Sequence, residues 1–309
     1  MLVLEGHELS NIESITLIED EAETCYLEEN ITVEGIELIH EHRRMDRILI
    51  APDYSSQEYL LLANLSKDSK MIHNFKVLKL DPHTSTAIGV WGEENYTKDK
   101  RKLAKAINFA VQYAKIGGGA RAIADSADIS IEEAQEIIAK YNETFFEAIQ
   151  WKRARVSQMF RDRGIVYNIF GRPRKLGSYI KVADTLCDKG ESNYMLSIAE
   201  KGVISHIIQG SCGDILRSVL VDLYDKYFKY RDPEIDFYST VHDEITFSVV
   251  KDSEKVLKYA KELDELMTFH IPDAPLPIKV SIDIGYRYGQ MFCFEFTDES
   301  RTELIPKRV

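Results

Sequence analysis

The sequence predicts an α+β domain: an antiparallel sheet backed by helices and interrupted by a helical insertion. Three observations carry that prediction. A strand-like run, Ile48-Leu49-Ile50-Ala51, leads into a helical stretch over residues 57–65. Residues 81–190 are then dominated by helical patterning. A hairpin-like run over 237–250, one more helix and a strand over 278–284 close the sheet.

The elements follow in order. Residues 48–51 form an uninterrupted apolar run, the mark of a buried strand. Residues 57–65 carry Leu60, Leu61 and Leu62 on a helix. Asp81-Pro82-His83 is a turn opening a helix over 84–90, because proline favours the first helical turn. Residues 99–114 make an amphipathic helix, ended by Gly117-Gly118-Gly119. Ser130 and Glu133 form a capping box that starts a helix running to Tyr141. Residues 143–163 continue as helix and stop at Gly164. A hairpin follows, with 166–170 as its first arm and Gly171-Arg172-Pro173-Arg174 as its turn. Residues 192–230 form a long helical region broken near Gly210 and Gly213. The 237–250 hairpin centres on His242-Asp243-Glu244, and a helix over 254–268 separates it from the closing strand. Residues 1–46 are acidic with short apolar runs, as in a strand-containing cap segment. The expected division is an N-terminal acidic cap (1–46), a sheet domain in two parts (47–80 and 191–291), a helical insertion (81–190) and a C-terminal extension (292–309).

The chain has 309 residues, 44% hydrophobic and 29% charged, enough for a sizeable core. Its formal net charge of −12 opposes nucleic-acid binding on average, but charge is segregated. Lys98, Lys100, Arg101, Lys102 and Lys105 crowd one stretch; Lys152, Arg153, Arg155, Arg161 and Arg163 another; Arg172, Arg174 and Lys175 a third. Such clusters can make a basic cleft on an acidic body. The four scattered cysteines include no Cys-x-x-Cys pair, as expected for free thiols in a reducing compartment. No apolar run approaches the ~20 residues of a membrane span, and no basic-then-apolar leader is visible. The expectation is a cytoplasmic protein without a membrane partner.

Asp53 and the Asp243-Glu244 pair sit at the edges of strand-like runs far apart in sequence. A lone Asp at a strand end is ordinarily a turn or cap residue. Adjacent acids at a hairpin tip are harder to place that way, because their repulsion calls for a nearby cation. Two carboxylates holding two Mg²⁺ ions are suited to nucleotidyl transfer, where a hydroxyl is activated and pyrophosphate departs. Arg101, Lys105, Phe109 and Tyr113 recur every four residues, on one drifting helix face, with Leu103, Ile107 and Val111 opposite. Cations and aromatics on one face suit a triphosphate and a base or sugar, although a mixed surface helix would share the pattern.

These residues carry a resemblance. Asp53-Tyr54-Ser55 with Glu58 resembles motif A of the family A DNA polymerases, the bacterial polymerase I type. Arg101-x3-Lys105-x3-Phe109-x3-Tyr113 resembles their motif B, and Val241-His242-Asp243-Glu244 their motif C. Asp81-Pro82-His83-Thr84, Phe170-Gly171-Arg172, and Gln209-Gly210-Ser211 with Asp214-Ile215 are similar to further family segments. The resemblance covers residues 47 to about 290. It implies a right-hand polymerase palm holding motifs A and C, with the 81–190 insertion as fingers. It also implies a DNA-directed DNA polymerase adding dNTPs to a primer 3′ end. Asp53, Asp243 and the Tyr54 carbonyl would hold two Mg²⁺ ions, with Glu244 as accessory carboxylate. Arg101, Lys105 and His83 would contact the triphosphate, with Lys105 protonating departing pyrophosphate. Phe109 would stack near the sugar, Tyr113 would sit beside the templating base, and Glu58 would exclude a ribose 2′-OH. Arg172, Gln209, His242, Lys201 and Ser205 would contact primer or template.

The sequence departs from the family pattern in places. Ser56-Gln57 replaces Gln-Ile in motif A, and Ala110 and Ala114 stand where motif B usually has Gly. Lys201 and Ser205 replace Arg and Asn, so Lys201 keeps charge but loses a bidentate fork. Too few residues precede Asp53 for a thumb or exonuclease domain. The expectation is one part of a split, phage-type polymerase, with a second chain supplying thumb, exonuclease or both; a shortened piece of a longer polymerase is equally compatible with these residues. Two rivals remain: a single-subunit RNA polymerase relative, and an inactive palm serving as a replisome binding subunit.

Overall fold

The computed structural model describes residues 17–19, 25–27, 47–296, 301 and 304–306. Two short strands, β1 (Leu17–Glu19) and β2 (Cys25–Leu27), pair antiparallel. The rest of the expected acidic cap lies outside the described residues. β3 (Arg47–Tyr54) extends beyond the expected 48–51. Its first residue explains the difference: Arg47 is tied down rather than solvated. Its Nε donates to Ser248 Oγ at 2.8 Å, and the guanidinium pairs with Asp236 at 3.0 Å.

Helices α1 (Gln57–Ser66) and α2 (Ser69–Lys76) follow. The sequence reading did not anticipate α2. Its cap, the buried Asp68, accepts from Met71 N at 2.9 Å and also from Ala148 N at 3.0 Å, so one carboxylate caps two helices. α3 (Pro82–Trp91) starts at Pro82 with Asp81 as N-cap, and α4 (Lys98–Tyr113) lies within one residue of its expected span. α5 (Ala120–Ala127) begins after Gly119, whose φ of 108° would strain any other residue. α6 (Ile131–Thr144) is capped by Ser130, which accepts from Glu133 N at 3.1 Å. Phe145 interrupts the path to α7 (Phe146–Arg161). Lys152 of α7 is buried and donates to the Val111 carbonyl, in the last turn of α4, at 2.6 Å.

The small hairpin is β4 (Ile165–Tyr167) and β5 (Pro173–Lys175), so Phe170 sits in the loop rather than in the first arm, Arg172 stays in the loop, and Pro173 and Arg174 belong to the second strand rather than to the turn. α8 (Gly177–Thr185), unanticipated, leads to α9 (Lys189–Ile207) and α10 (Gln209–Leu223), which runs into a π turn over Tyr224–Phe228. The break falls at Ile208, not at Gly210 or Gly213. A Cβ on Gly210 would come within 3.0 Å of His206 Nδ1, so that glycine serves close packing inside α10. β6 (Ile235–Val241), β7 (Glu244–Val250), α11 (Ser253–Met267), β8 (Val280–Arg287), β9 (Gln290–Phe296) and β10 (Leu304–Pro306) complete the chain. The expected extension from residue 292 therefore begins inside a strand, because β9 pairs with β8 and widens the sheet.

The main sheet has six strands in the order β10-β9-β8-β3-β7-β6, with antiparallel neighbours throughout. β3 is interior, flanked by β8 and β7. α11 lies across β3, β7 and β8, while α10 packs on α11 and α1. Ile50, Leu61, Phe247, Tyr259 and Leu263 are fully buried where these layers meet. Each such side chain contributes about 1.5–3 kcal/mol through burial. The helical block packs α3 on α4 and α6, and α9 touches α4, α7 and α8. Among the described residues no helix is long and apolar enough to cross a membrane.

Candidate active site

β3 places Asp53 next to its C-terminal end, where the register sets it opposite Glu244 of β7 and Ser281 of β8. β6 and β7 are joined by the two residues His242 and Asp243, with Val241 paired to Glu244. His242 adopts φ 58°, the left-handed conformation that lets so short a loop turn. Tyr54 N donates to the Asp243 carbonyl at 3.4 Å. Two aspartates distant in sequence thus meet at the ends of neighbouring strands. The Tyr54 ring is buried, which leaves its main chain for the expected metal role.

The electrostatics follow from this crowding. Burial, then the charges of Asp243, Glu244 and Asp283, push the Asp53 carboxyl up to about 7. Asp283 was missed by the sequence reading. It pairs with Ala51, two residues from Asp53, so both acids share one face of the sheet. An acid between the buried Ile282 and Ile284 was the available signal. Glu244 accepts from Thr246 Oγ1 at 2.9 Å, and its charge raises the pKa of Tyr288 from the β8–β9 turn.

Among the described residues, no group of three or more His, Cys, Asp or Glu side chains is arranged to hold a metal ion. The donor set is smaller: Asp53, Asp243 and main-chain carbonyls. Hard divalent cations take such oxygen ligands and retain water. A half-buried carboxylate held up by its acidic neighbours is a site whose repulsion a cation relieves, so these residues fit Mg²⁺.

The carboxylates open onto a cleft of about 920 Å³. Its lining brings together Asp53, Asp243, Glu58, His83, Lys105, Phe109, Gln209 and His242 from the expected set, together with Gln57, Asn108, Gln112 and Cys212, which were not singled out. On α4, Ile107 and Val111 are buried as expected, Leu103 is only half-buried, and Ala104 occupies the core instead. Phe109 is 53% exposed, a large aromatic left open beside Lys105.

Two of the expected dNTP contacts, Tyr113 and Arg101, do not line the cleft, and neither do Glu244 and Tyr54. Tyr113 donates its hydroxyl to the Glu58 carboxylate and accepts from Gln112 Nε2 at 3.0 Å; burial and the bond to Glu58 raise its pKa, while the bond from Gln112 opposes them. Arg101 is held by Asp81, with a guanidinium nitrogen 3.1 Å from Oδ1 and Nε donating to Thr84 Oγ1 at 3.2 Å. Burial pushes the Asp81 carboxyl up, but bonds from Thr84 and Arg101 outweigh it and hold it below its ordinary value.

The expected DNA contacts form a second group. Arg172 donates through Nε to Asp214 at 2.8 Å and through its terminal nitrogen to the Gly210 carbonyl at 3.1 Å. Asp214 also receives Arg217 at 2.7 Å. Ser205 donates to Gln209 Oε1 at 2.9 Å, and Lys201 is exposed one turn earlier. Of Lys201, Ser205 and Gln209, only Gln209 reaches the cleft.

Comparison with known proteins bears on this arrangement. Residues 36–290 match the sequence model of the family described as DNA polymerase family A. The chain is 33% identical over 235 residues to DNA polymerase I of Streptococcus pneumoniae (strain ATCC BAA-255 / R6), covering 74% of this chain and 25% of that one. It is 28% identical over 247 residues to DNA polymerase I of Bacillus caldotenax, covering 79% and 26%. It is 27% identical over 254 residues to DNA polymerase theta of Drosophila melanogaster, covering 79% and 11%. The chain thus spans about a quarter of the length of the bacterial relatives. Its fold is similar to the POL domain of Pol1 from M. smegmatis, solved with DNA primer-template and dNTP. That match has a TM-score of 0.66 and 23% identity, covering 88% of this chain and 47% of that one.

Proposed function

The chain belongs to DNA polymerase family A, and on that premise we propose that it is the catalytic part of a DNA-directed DNA polymerase. It would extend a primer 3′ end with dNTPs, releasing pyrophosphate. The observation that carries this reading is the meeting of Asp53 and Asp243 in one cleft with Lys105, Phe109, His83 and Glu58. The six-stranded sheet is then the palm and the helical block its fingers.

Asp53, Asp243 and the Tyr54 carbonyl would hold two Mg²⁺ ions, with Glu244 supporting them from β7. When bound, such ions activate the primer hydroxyl and neutralise charge on the leaving pyrophosphate. The protein's own groups do the rest. Lys105 offers a mobile cation to the triphosphate and a proton to the leaving group. Arg101 joins it by exchanging the half-exposed Asp81 for phosphate. Phe109 presents an open ring to the sugar and base. Glu58, steadied by Tyr113, occupies the space a 2′-OH would need. His242, Gln209 and Arg172 face primer and template, with Lys201 and Ser205 farther along the same helical face.

A finer element of the proposal is a second polypeptide supplying thumb or exonuclease functions. Primer extension at low salt with Mg²⁺ tests the activity, with Asp243→Ala as control and rNTPs in a parallel arm. Extension with dNTPs that Asp243→Ala abolishes is the expected result. Extension that survives Asp243→Ala, or that runs equally with rNTPs, contradicts it. If the folded chain does not extend alone, a partner captured by pull-down should restore extension.

A further inference from the structure

On the helical side of the cleft, one hydrogen-bond arrangement has its donors and acceptors fully determined. Asn108 of α4 is 5% exposed. Its Oδ1 accepts from Thr86 Oγ1 at 2.7 Å. Its Nδ2 lies 3.3 Å from the Pro82 carbonyl and 3.1 Å from His83 Nδ1. A carbonyl oxygen can only accept, so the amide nitrogen, not the amide oxygen, must face Pro82. The same nitrogen then faces His83 Nδ1, which must accept as well. The ring's proton is left on Nε2. An imidazolium would set two donors against each other at this contact.

The surroundings act in the same sense. Burial lowers the His83 pKa, and Arg101 and Lys105 lower it further; only Asp81 opposes them. His83 lines the cleft, and its Nε2 makes no hydrogen bond among the described residues.

We propose that Asn108 is a positioning residue that locks His83 as a neutral imidazole, leaving Nε2–H to donate to an anionic oxygen of the bound triphosphate. This rests on the polymerase reading of the cleft. Its consequence is a division of labour. Lys105 and Arg101 supply positive charge, while His83 supplies a directed donor that does not titrate near the ordinary histidine pKa of about 6.5. Substrate contact through His83 is therefore constant across neutral pH.

The test is ¹⁵N NMR of histidine-labelled, nucleotide-free protein between pH 6 and 8, with His83→Gln identifying the resonances. The expected result is an Nε2–H tautomer with no titration in that range. An Nδ1–H tautomer, or protonation with a midpoint near 6.5, overturns the lock. In Asn108→Asp, a carboxylate facing Nδ1 should bring His83 protonation into the measured range; an unchanged spectrum overturns it too. In Asn108→Ala, the dNTP KM should rise about tenfold with a smaller change in kcat, the loss expected for one charge-assisted hydrogen bond. An intact lock with an unchanged KM overturns the positioning role. Because the NMR arm needs no turnover, failure of the lock is distinguishable from failure of the polymerase reading. The latter would appear as no incorporation by the wild type under any condition, and would remove the substrate contact while leaving the tautomer measured.

Discussion

The hydroxyl of Tyr113, at the end of α4, donates to the carboxylate of Glu58 on α1, so a polar contact ties the helical insertion to the sheet domain beside the cleft. Tyr113→Phe removes the donor and leaves a half-buried carboxylate without it. A hydrogen bond to a charged group is worth about 1.5–3 kcal/mol. The substitution should lower stability by that order in urea unfolding. It should also free Glu58 and reduce the ratio of dNTP to rNTP kcat/KM about five- to tenfold. An unchanged ratio would mean that Glu58 holds its place without Tyr113.

Asp53 is the acid most crowded by its neighbours, and its carboxyl is pushed from 3.8 up to about 7. The folded protein therefore binds more protons than the unfolded chain between those values. Stability of the metal-free protein should fall as pH rises through that window. Asp53→Asn should abolish the fall and stabilise the metal-free protein at pH 8 by about 1 kcal/mol, allowing for solvent screening at a partly exposed site. The same substitution should reduce incorporation about 10³-fold or more. Mg²⁺ should raise the Tm of the wild type and leave Asp53→Asn largely unmoved. Equal Mg²⁺ shifts in both proteins would place the cation elsewhere.

Lys152 offers a second titration with the opposite sign. Burial lowers its pKa from 10.5 to about 8, with Glu200 opposing. Above pH 8 the unfolded chain holds a proton that the folded protein has released, so stability rises with pH. The slope approaches about 1.4 kcal/mol per pH unit. Near pH 10 the rise ends, because buried tyrosines such as Tyr59 and Tyr141 have raised pKa values and the unfolded chain ionises first. Chemical unfolding at pH 7, 8, 9 and 10 should show this rise in the wild type and not in Lys152→Met. A flat wild-type profile would mean that the Lys152 proton stays on in the folded protein.

Gly164, just before β4, stands at the base of the hairpin whose loop carries Arg172. Its φ is 80°, and a Cβ there would stand 2.3 Å from Gly177 N. Gly164→Ala combines left-handed strain with a backbone clash and should cost well over about 1 kcal/mol. It should also weaken primer-template affinity, read by fluorescence anisotropy, because Arg172 moves with the loop. Unaltered affinity in a destabilised protein would remove Arg172 from the DNA contacts.

The legible parts of the sequence were those whose pattern is local. The α4 face, the Asp81-Pro82 start of α3 and the hairpin around Asp243 follow from spacing and turn chemistry within a few residues. The family resemblance implied one substrate for Glu58, His83, Lys105 and Phe109, and all four line one cleft. What stayed hidden depends on partners far along the chain. α2 owes its start to Asp68, which also caps α7. The break at Ile208 follows no glycine, because Gly210 is used for packing against His206. Asp283 becomes an acid of the site only through the β3–β8 register. Asn108 gains its role from three partners on α3 that no periodicity announces.

The interior position of β3 has a consequence for biogenesis. Asp53 lies between Glu244 and Ser281, both synthesised long after it. While a ribosome works through the helical block, the apolar stretch Ile48-Leu49-Ile50-Ala51 has neither flanking strand, and both its edges can pair with foreign chains. Such long-range pairing is slow and exposed to aggregation. The nascent chain therefore passes through a vulnerable interval that ends only when β7 and β8 have emerged. Until then the two aspartates share no site, so the growing polypeptide carries half of its proposed metal site without the other half.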